Sequence, residues 1–168
     1  MNLQRLLDRA SGRGYPFLLA LIAAVDYVLF LVPMTPLTIA SVAIVPRNWI
    51  RIALAITLGS WIGAMGFEIV VAHQGIPLLQ WLAPRMLHSH AWELMQVWIG
   101  RYGFWALFVV ALSPTVDHPI VALAGLSKLP VVEVALVLLA GKAIKYFFFA
   151  WCGANAPGLL RKLKIIKK

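Results

Sequence analysis

The stretch FWALFVVALSPTVDHPIVALAGL, Phe104–Leu126, decides how this chain is read. Two apolar runs flank SPTVDHP, Ser113–Pro119, where two prolines, an aspartate and a histidine interrupt what would otherwise be one continuous oily helix. Proline lacks an amide donor and crowds the preceding turn, so the helix must stop there. At about 1.5 Å per residue neither flanking run can cross a hydrocarbon layer about 30 Å thick. The simplest structure is a re-entrant hairpin that enters and leaves the bilayer on one side. Polar backbone at such a break is tolerated only against protein or a water-filled cavity, and a charge there favours the cavity.

The same pattern occurs earlier in the chain. Phe17–Val32 is followed by PMTP (Pro33–Pro36), then by the short run Leu37–Val45 and by Pro46. The expected hairpin breaks are therefore Pro33 and Pro36, and Pro114 and Pro119. Each broken hairpin precedes a long apolar run. Trp49–Ala72 would span roughly 36 Å and Pro130–Trp151 roughly 33 Å, enough to cross. A unit with one crossing places its successor upside down. The expected fold class is thus an all-α integral membrane protein with two inverted repeats, each a re-entrant helical hairpin plus one long transmembrane helix. The whole chain, 1–168, reads as a single membrane domain. It comprises an amphipathic N-terminus (1–14), repeat one (15–74), an interfacial linker helix (75–102), repeat two (103–155) and a basic tail (156–168).

Composition agrees. The chain is 62% hydrophobic and 12% charged, with a mean hydropathy of +0.86, too little polar surface to cover a water-soluble domain. The net charge of +9 would suggest nucleic acid in a soluble protein, but here the basic residues gather at chain ends and short loops. Arg5, Arg9, Arg13, Arg47, Arg51 and the basic residues of the tail fall on one side of the expected topology. Arg85, Arg101 and Lys128 fall on the other. The positive-inside rule then puts both termini in the cytoplasm. The single cysteine, Cys152, excludes an intrachain disulfide.

Several elements together resemble the DedA/VTT (SNARE-associated Golgi) superfamily, in particular its short YqaA-like branch. They are RYG at Arg101–Gly103, the broken SPTVDHP, AGLSKLP at Ala124–Pro130, GKAIKY at Gly141–Tyr146, and, in the first unit, VPMTP, Pro46 and the Gly59/Gly63 pair. The resemblance implies two facing re-entrant hairpins in a bacterial inner membrane. It also implies a role in moving lipids, or ions coupled to lipids. Better-known members carry two arginines around the second break. Here those positions are Ala111 and Asp117, so the role of those arginines does not transfer.

Ionisable groups at membrane depth are costly and mark pathways by default. That singles out Asp26 in the first hairpin, Asp117 and His118 at the second break, Lys142 and Lys145 in the second long helix, and Glu68 late in the first. Asp117 and His118 could relay a proton; the alternative is a polar turn in which the aspartate folds back on its own backbone. Lys142 falls near mid-bilayer, where either phosphate binding or pairing with Asp117 or Asp26 would explain it. Glu68 turns away from the glycine stripe Gly59, Gly63 and Gly66, toward the outer interface. Those glycines, with Gly125 and Gly141, are expected to pack helices. His88, His90 and Glu93 read as interfacial polar residues, since histidines two apart do not share a helix face. No metal site, cofactor or catalytic constellation is expected, and the chain is not read as an enzyme.

The functional expectation is a transporter or scramblase moving a lipid or an anionic lipid-phosphate head group, with proton coupling. The alternatives are a small ion or proton-coupled exporter and a non-transporting membrane scaffold. Expected partners are membrane lipids, among them an anionic phospholipid or polyprenyl phosphate, protons, and further copies of the chain in a homo-oligomer. Nucleic acid is not among them.

Overall fold

The computed structural model describes residues 14–30 and 32–165, with side chains as far as residue 155. The amphipathic reading of residues 1–13, the side chains of residues 156–165, and Lys167 and Lys168 therefore lie outside the described residues.

All regular structure among the described residues is helical. Helix α1 (Gly14–Leu29) and α2 (Met34–Ile44) flank the first proline break; a 3-10 turn (Pro46–Asn48) leads into α3 (Trp49–Gln74). Three helical pieces follow: α4 (Ile76–Leu82), α5 (Pro84–Leu87) and α6 (His90–Tyr102). Then α7 (Phe104–Leu112) and α8 (His118–Leu126) flank the second break, and α9 (Val131–Ile165) closes the chain.

Prolines set these boundaries, but not all in the expected way. Pro33 and Pro114 lie in the breaks, between α1 and α2 and between α7 and α8. Pro36 and Pro119 lie inside the first turns of α2 and α8, where a missing amide costs no intrahelical bond. They start the second arms rather than end the first. Phe30 takes a left-handed φ of 54°, which turns the chain out of α1. The arms are short: 16 residues in α1, 11 in α2, and nine in each of α7 and α8, roughly 13–24 Å.

The 3-10 turn and α3 together, Pro46–Gln74, form the one segment that length and composition mark as a membrane span among the described residues, with a mean hydropathy of 1.7. The second long helix departs from expectation. It runs 35 residues, beyond Trp151 and into the tail, and it carries Glu133, Lys142 and Lys145. The linker is three helical pieces rather than one interfacial helix, and Leu79, Trp92 and Met95 from it are buried.

The helices pair in a pattern that positions the site. The first arm of each break packs on the long helix that follows it, α1 on α3 and α7 on α9. The second arm packs on the other long helix, α2 on α9 and α8 on α3, and α3 and α9 pack on each other. Small residues permit this closeness. A Cβ at Gly59 or Gly63 would overlap the backbone of Ala20 or Ala24, and one at Gly141 would meet Ala111 and the Phe108 carbonyl. Gly125 lies against the Glu68 carbonyl and Val71. Gly66 corrects the expected stripe: a Cβ there would meet nothing, because it turns off the α1-facing side.

The distribution of polarity is inverted relative to a water-soluble protein. Phe17 is 74% exposed and Trp105 72%, whereas Lys142 and Glu68 are both 0% exposed. An apolar exterior around a charged interior is what lipid as solvent requires.

Candidate functional site

The two breaks converge on one place. A cavity of about 90 Å³ is lined by Asp26, Val32, Pro33 and Pro36 from the first and by Pro114, Thr115, Asp117 and His118 from the second. Ser60 of α3 and Lys145 and Tyr146 of α9 complete its wall. A polar space of this size is large enough to admit water.

Behind the wall sits a charged cluster built from both halves of the chain. The Lys142 ammonium donates to Asp117 Oδ2 (2.5 Å), to the Tyr27 hydroxyl (2.5 Å) and to Ser60 Oγ (3.0 Å). The Tyr27 hydroxyl donates in turn to Asp117 Oδ1 at 2.8 Å. Lys142 also lies 4.9 Å from the Tyr27 ring centroid. Lys142 is fully buried, and such a charge persists only if paired and hydrogen-bonded. Its three donors match three acceptors, so no donor remains for anything else.

Lys145, one helical turn on, is placed differently. Its ammonium is 3.9 Å from Asp117 Oδ2, beyond hydrogen-bond reach, and 5.1 Å from the Tyr146 ring centroid. It lines the cavity, which Lys142 does not. Of the two pairings expected for Lys142, the structure shows the one with Asp117, and among the described residues Lys145 is the lysine that lines the cavity.

Asp117 does not fold back on its own turn. It is the N-cap residue of α8 with no side-chain capping bond, its carboxylate reaching instead to Tyr27 and Lys142. His118 is not paired with Asp117 as the adjacent positions suggested. Its Nε2 is 3.8 Å from Asp26 Oδ2, and its ring lies between Tyr27 and Phe30, with centroids 4.5 and 4.4 Å away. Neither ring nitrogen has a hydrogen-bond partner among the described residues. Asp26 also holds the first break, where its Oδ1 accepts the amide of Val32 at 2.7 Å.

Glu68 is corrected as well. Its side chain is buried, its backbone carbonyl lies against Gly125 of α8, and neither carboxylate oxygen has a hydrogen-bond partner among the described residues. Along α3 it is roughly 12 Å from Ser60, so it stands apart from the cluster. His90 and Glu93 form an exposed pair 3.8 Å apart.

Tyr27, Ser60 and Tyr146 are the participants sequence reasoning missed. Tyr146 lies 3.4 Å from Ser60 Oγ and lines the cavity. Their sole signal was adjacency: Tyr27 follows Asp26, Ser60 follows Gly59, and Tyr146 follows Lys145.

Chemically, the arrangement offers two carboxylates, two ammoniums and a histidine around one polar cavity, which suits binding and proton movement. A family model described as the VTT domain matches residues 32–155, from within the first break, through α3 and the second break, and along α9 to residue 155. No curated protein and no solved structure matches the chain.

Proposed function

The chain belongs to the VTT-domain (DedA/VTT) family, and from that premise we propose that it is a transporter that carries an anionic lipid head group through the bilayer with coupled proton movement. VTT-domain proteins are membrane proteins, and the domain is associated with transport. The observation that carries the reading is the cavity common to both breaks, with Asp26, Asp117, His118 and Lys145 on its wall. Charged side chains and irregular backbone at membrane depth are retained where they line a pathway.

The proposal includes two re-entrant hairpins related by inversion. The helix pairing supports it: exchanging α1, α2 and α3 for α7, α8 and α9 maps one set of contacts onto the other. Gly59-Ser60 in α3 then corresponds to Gly141-Lys142 in α9, and Ser60 and Lys142 bond to each other at 3.0 Å. Equivalent residues meet only near a two-fold axis. Alternating access would rock the halves about that contact. In the same reading the membrane is the bacterial inner membrane, both termini are cytoplasmic, and the partners are an anionic phospholipid or polyprenyl phosphate, protons and a second copy of the chain. It gives no role to nucleic acid and assigns no enzymatic step. The short YqaA-like branch is part of the same proposal, and it rests on the order and spacing of the sequence elements.

The test is reconstitution in vesicles holding a labelled anionic phospholipid. Wild-type protein should move label between leaflets, and Lys145→Met should abolish most of that movement. Equal rates with wild-type protein, with Lys145→Met and with no protein would end the reading. A second reading, export of a small ion with protons, is favoured by the two carboxylates on the cavity wall. Proton flux in vesicles lacking any transportable lipid would select it.

A further inference from the structure

Asp117 stands in an unusual relation to the two lysines. One oxygen, Oδ2, is bonded to Lys142 and is also the nearest carboxylate oxygen to Lys145, while Oδ1 accepts from Tyr27. A carboxylate shared between two ammoniums occupies the position that a phosphate oxygen would take. Asp117 belongs to the irregular segment between α7 and α8, whose residues 114–116 are exposed. Its side chain makes no capping bond to its own helix, so swinging the carboxylate away breaks its bonds to Tyr27 and Lys142 and its ion pair with Lys145.

We propose that Asp117 is a built-in competitor for the transported anion: the phosphate of an entering head group displaces its carboxylate from Lys145 and Lys142. This rests on the reading that the cavity receives an anionic head group.

The charge balance gives the sign of coupling. The groups facing Asp117 are Asp26 and Tyr27 from α1, Ser60 from α3, His118 from α8, and Lys142, Lys145 and Tyr146 from α9. With both carboxylates and both lysines charged and the histidine neutral, the set is neutral. One phosphodiester would bring it to one net negative charge in a low-dielectric space, where like charges about 4 Å apart repel by several kcal/mol. Neutrality returns if the displaced Asp117 takes one proton from the water on the entry side, forming an O–H bond on its carboxylate. Phosphate and proton then travel together, one for one, and the proton leaves when the carboxylate returns to the lysines. Asp117 thereby sets both affinity and coupling.

The test measures binding of dihexanoyl phosphatidylglycerol, whose phosphodiester keeps a single charge over the working pH range, to the full chain in detergent. Inorganic phosphate is titrated in parallel. Wild-type affinity for the lipid should rise as pH falls. Asp117→Asn should bind at least about tenfold more tightly at neutral pH, and its affinity should be flat with pH. Because that substitution leaves two lysines short of an anion, the double variant Asp117→Asn/Lys142→Met provides a charge-balanced background. It should also bind with a flat pH profile through Lys145. Weaker binding by both variants, or a wild-type pH slope in either, overturns the competitor role. Tight binding of inorganic phosphate with no gain from the lipid identifies a free phosphate as the ligand and leaves Asp117 as its competitor. No binding of either anion to wild-type protein or any variant overturns the anionic head group reading itself, and this inference with it.

Discussion

Replacing Lys142 by Met tests the charged cluster most sharply. The substitution keeps the length of the side chain and removes three bonds, to Tyr27, Ser60 and Asp117. It leaves the buried Asp117 carboxylate with the Tyr27 hydroxyl at 2.8 Å and the Lys145 ammonium at 3.9 Å. Removing one partner of a buried pair costs about 3–5 kcal/mol. Lys145 is near enough to recover part of that, so the lower end, about 3 kcal/mol, is expected. For a chain of this size that corresponds to a fall in Tm of roughly 6–12 °C. The assay is thermal unfolding of purified protein in detergent, run as a cycle with Asp117→Asn. Each single variant should lose about 3 kcal/mol, and the double variant should lose less than their sum by about 2 kcal/mol or more. Additive losses, or a Lys142→Met protein as stable as wild type, would refute the proposition that these two buried charges stabilise each other.

Other outcomes follow from neighbouring observations. Gly63→Leu drives a side chain into the Ala24 backbone and should destabilise by about 1–3 kcal/mol or more, whereas Gly66→Ala meets open space and should be neutral or slightly stabilising; melting curves of the pair decide. Glu68→Leu removes a buried carboxylate that lacks hydrogen-bond partners among the described residues and should raise stability by about 1–3 kcal/mol; a lower Tm would mean that Glu68 has a partner. Asp26→Ala frees the Val32 amide and should speed hydrogen exchange at the first break by about tenfold, with little change at the second, as read by mass spectrometry.

The breaks and the long helices were legible in the sequence because proline chemistry and apolar run length are local. Ser113–Pro119 could not continue a helix whatever surrounded it. The buried charges were legible too, since a lysine in the middle of VALVLLAGKAIKYFFFAW has few places to go. What could not be read was which of Asp117 and Asp26 Lys142 would meet, or which uncharged groups would join them. The Tyr27–Asp117–Lys142–Ser60 cluster draws on four segments far apart in the chain, and adjacency along it misled: the carboxylate 3.8 Å from His118 Nε2 is that of Asp26 rather than of its neighbour Asp117. Helical periodicity placed Glu68 off the glycine stripe correctly. It could not tell that α8 would cover that face, and the same limit applies to Gly66, where no helix arrives. The saturation of Lys142 is a further case, because counting donors requires knowing the acceptors.

The central claim is that both breaks end inside the bilayer and share one cavity. Sided labelling with a membrane-impermeant thiol reagent tests it most directly, using single cysteines at Thr35 and Thr115 in a Cys152→Ser background. Reporters at Asn48 and Ser127 mark the two aqueous faces. The account predicts that Asn48 and Ser127 label rapidly from opposite faces. Thr35 and Thr115 should label much more slowly than either reporter, and a short bifunctional thiol linker should join them to each other. Rapid labelling of Thr35 and Thr115 from opposite faces, with no cross-link between them, would mean that every arm crosses the membrane and would contradict the account.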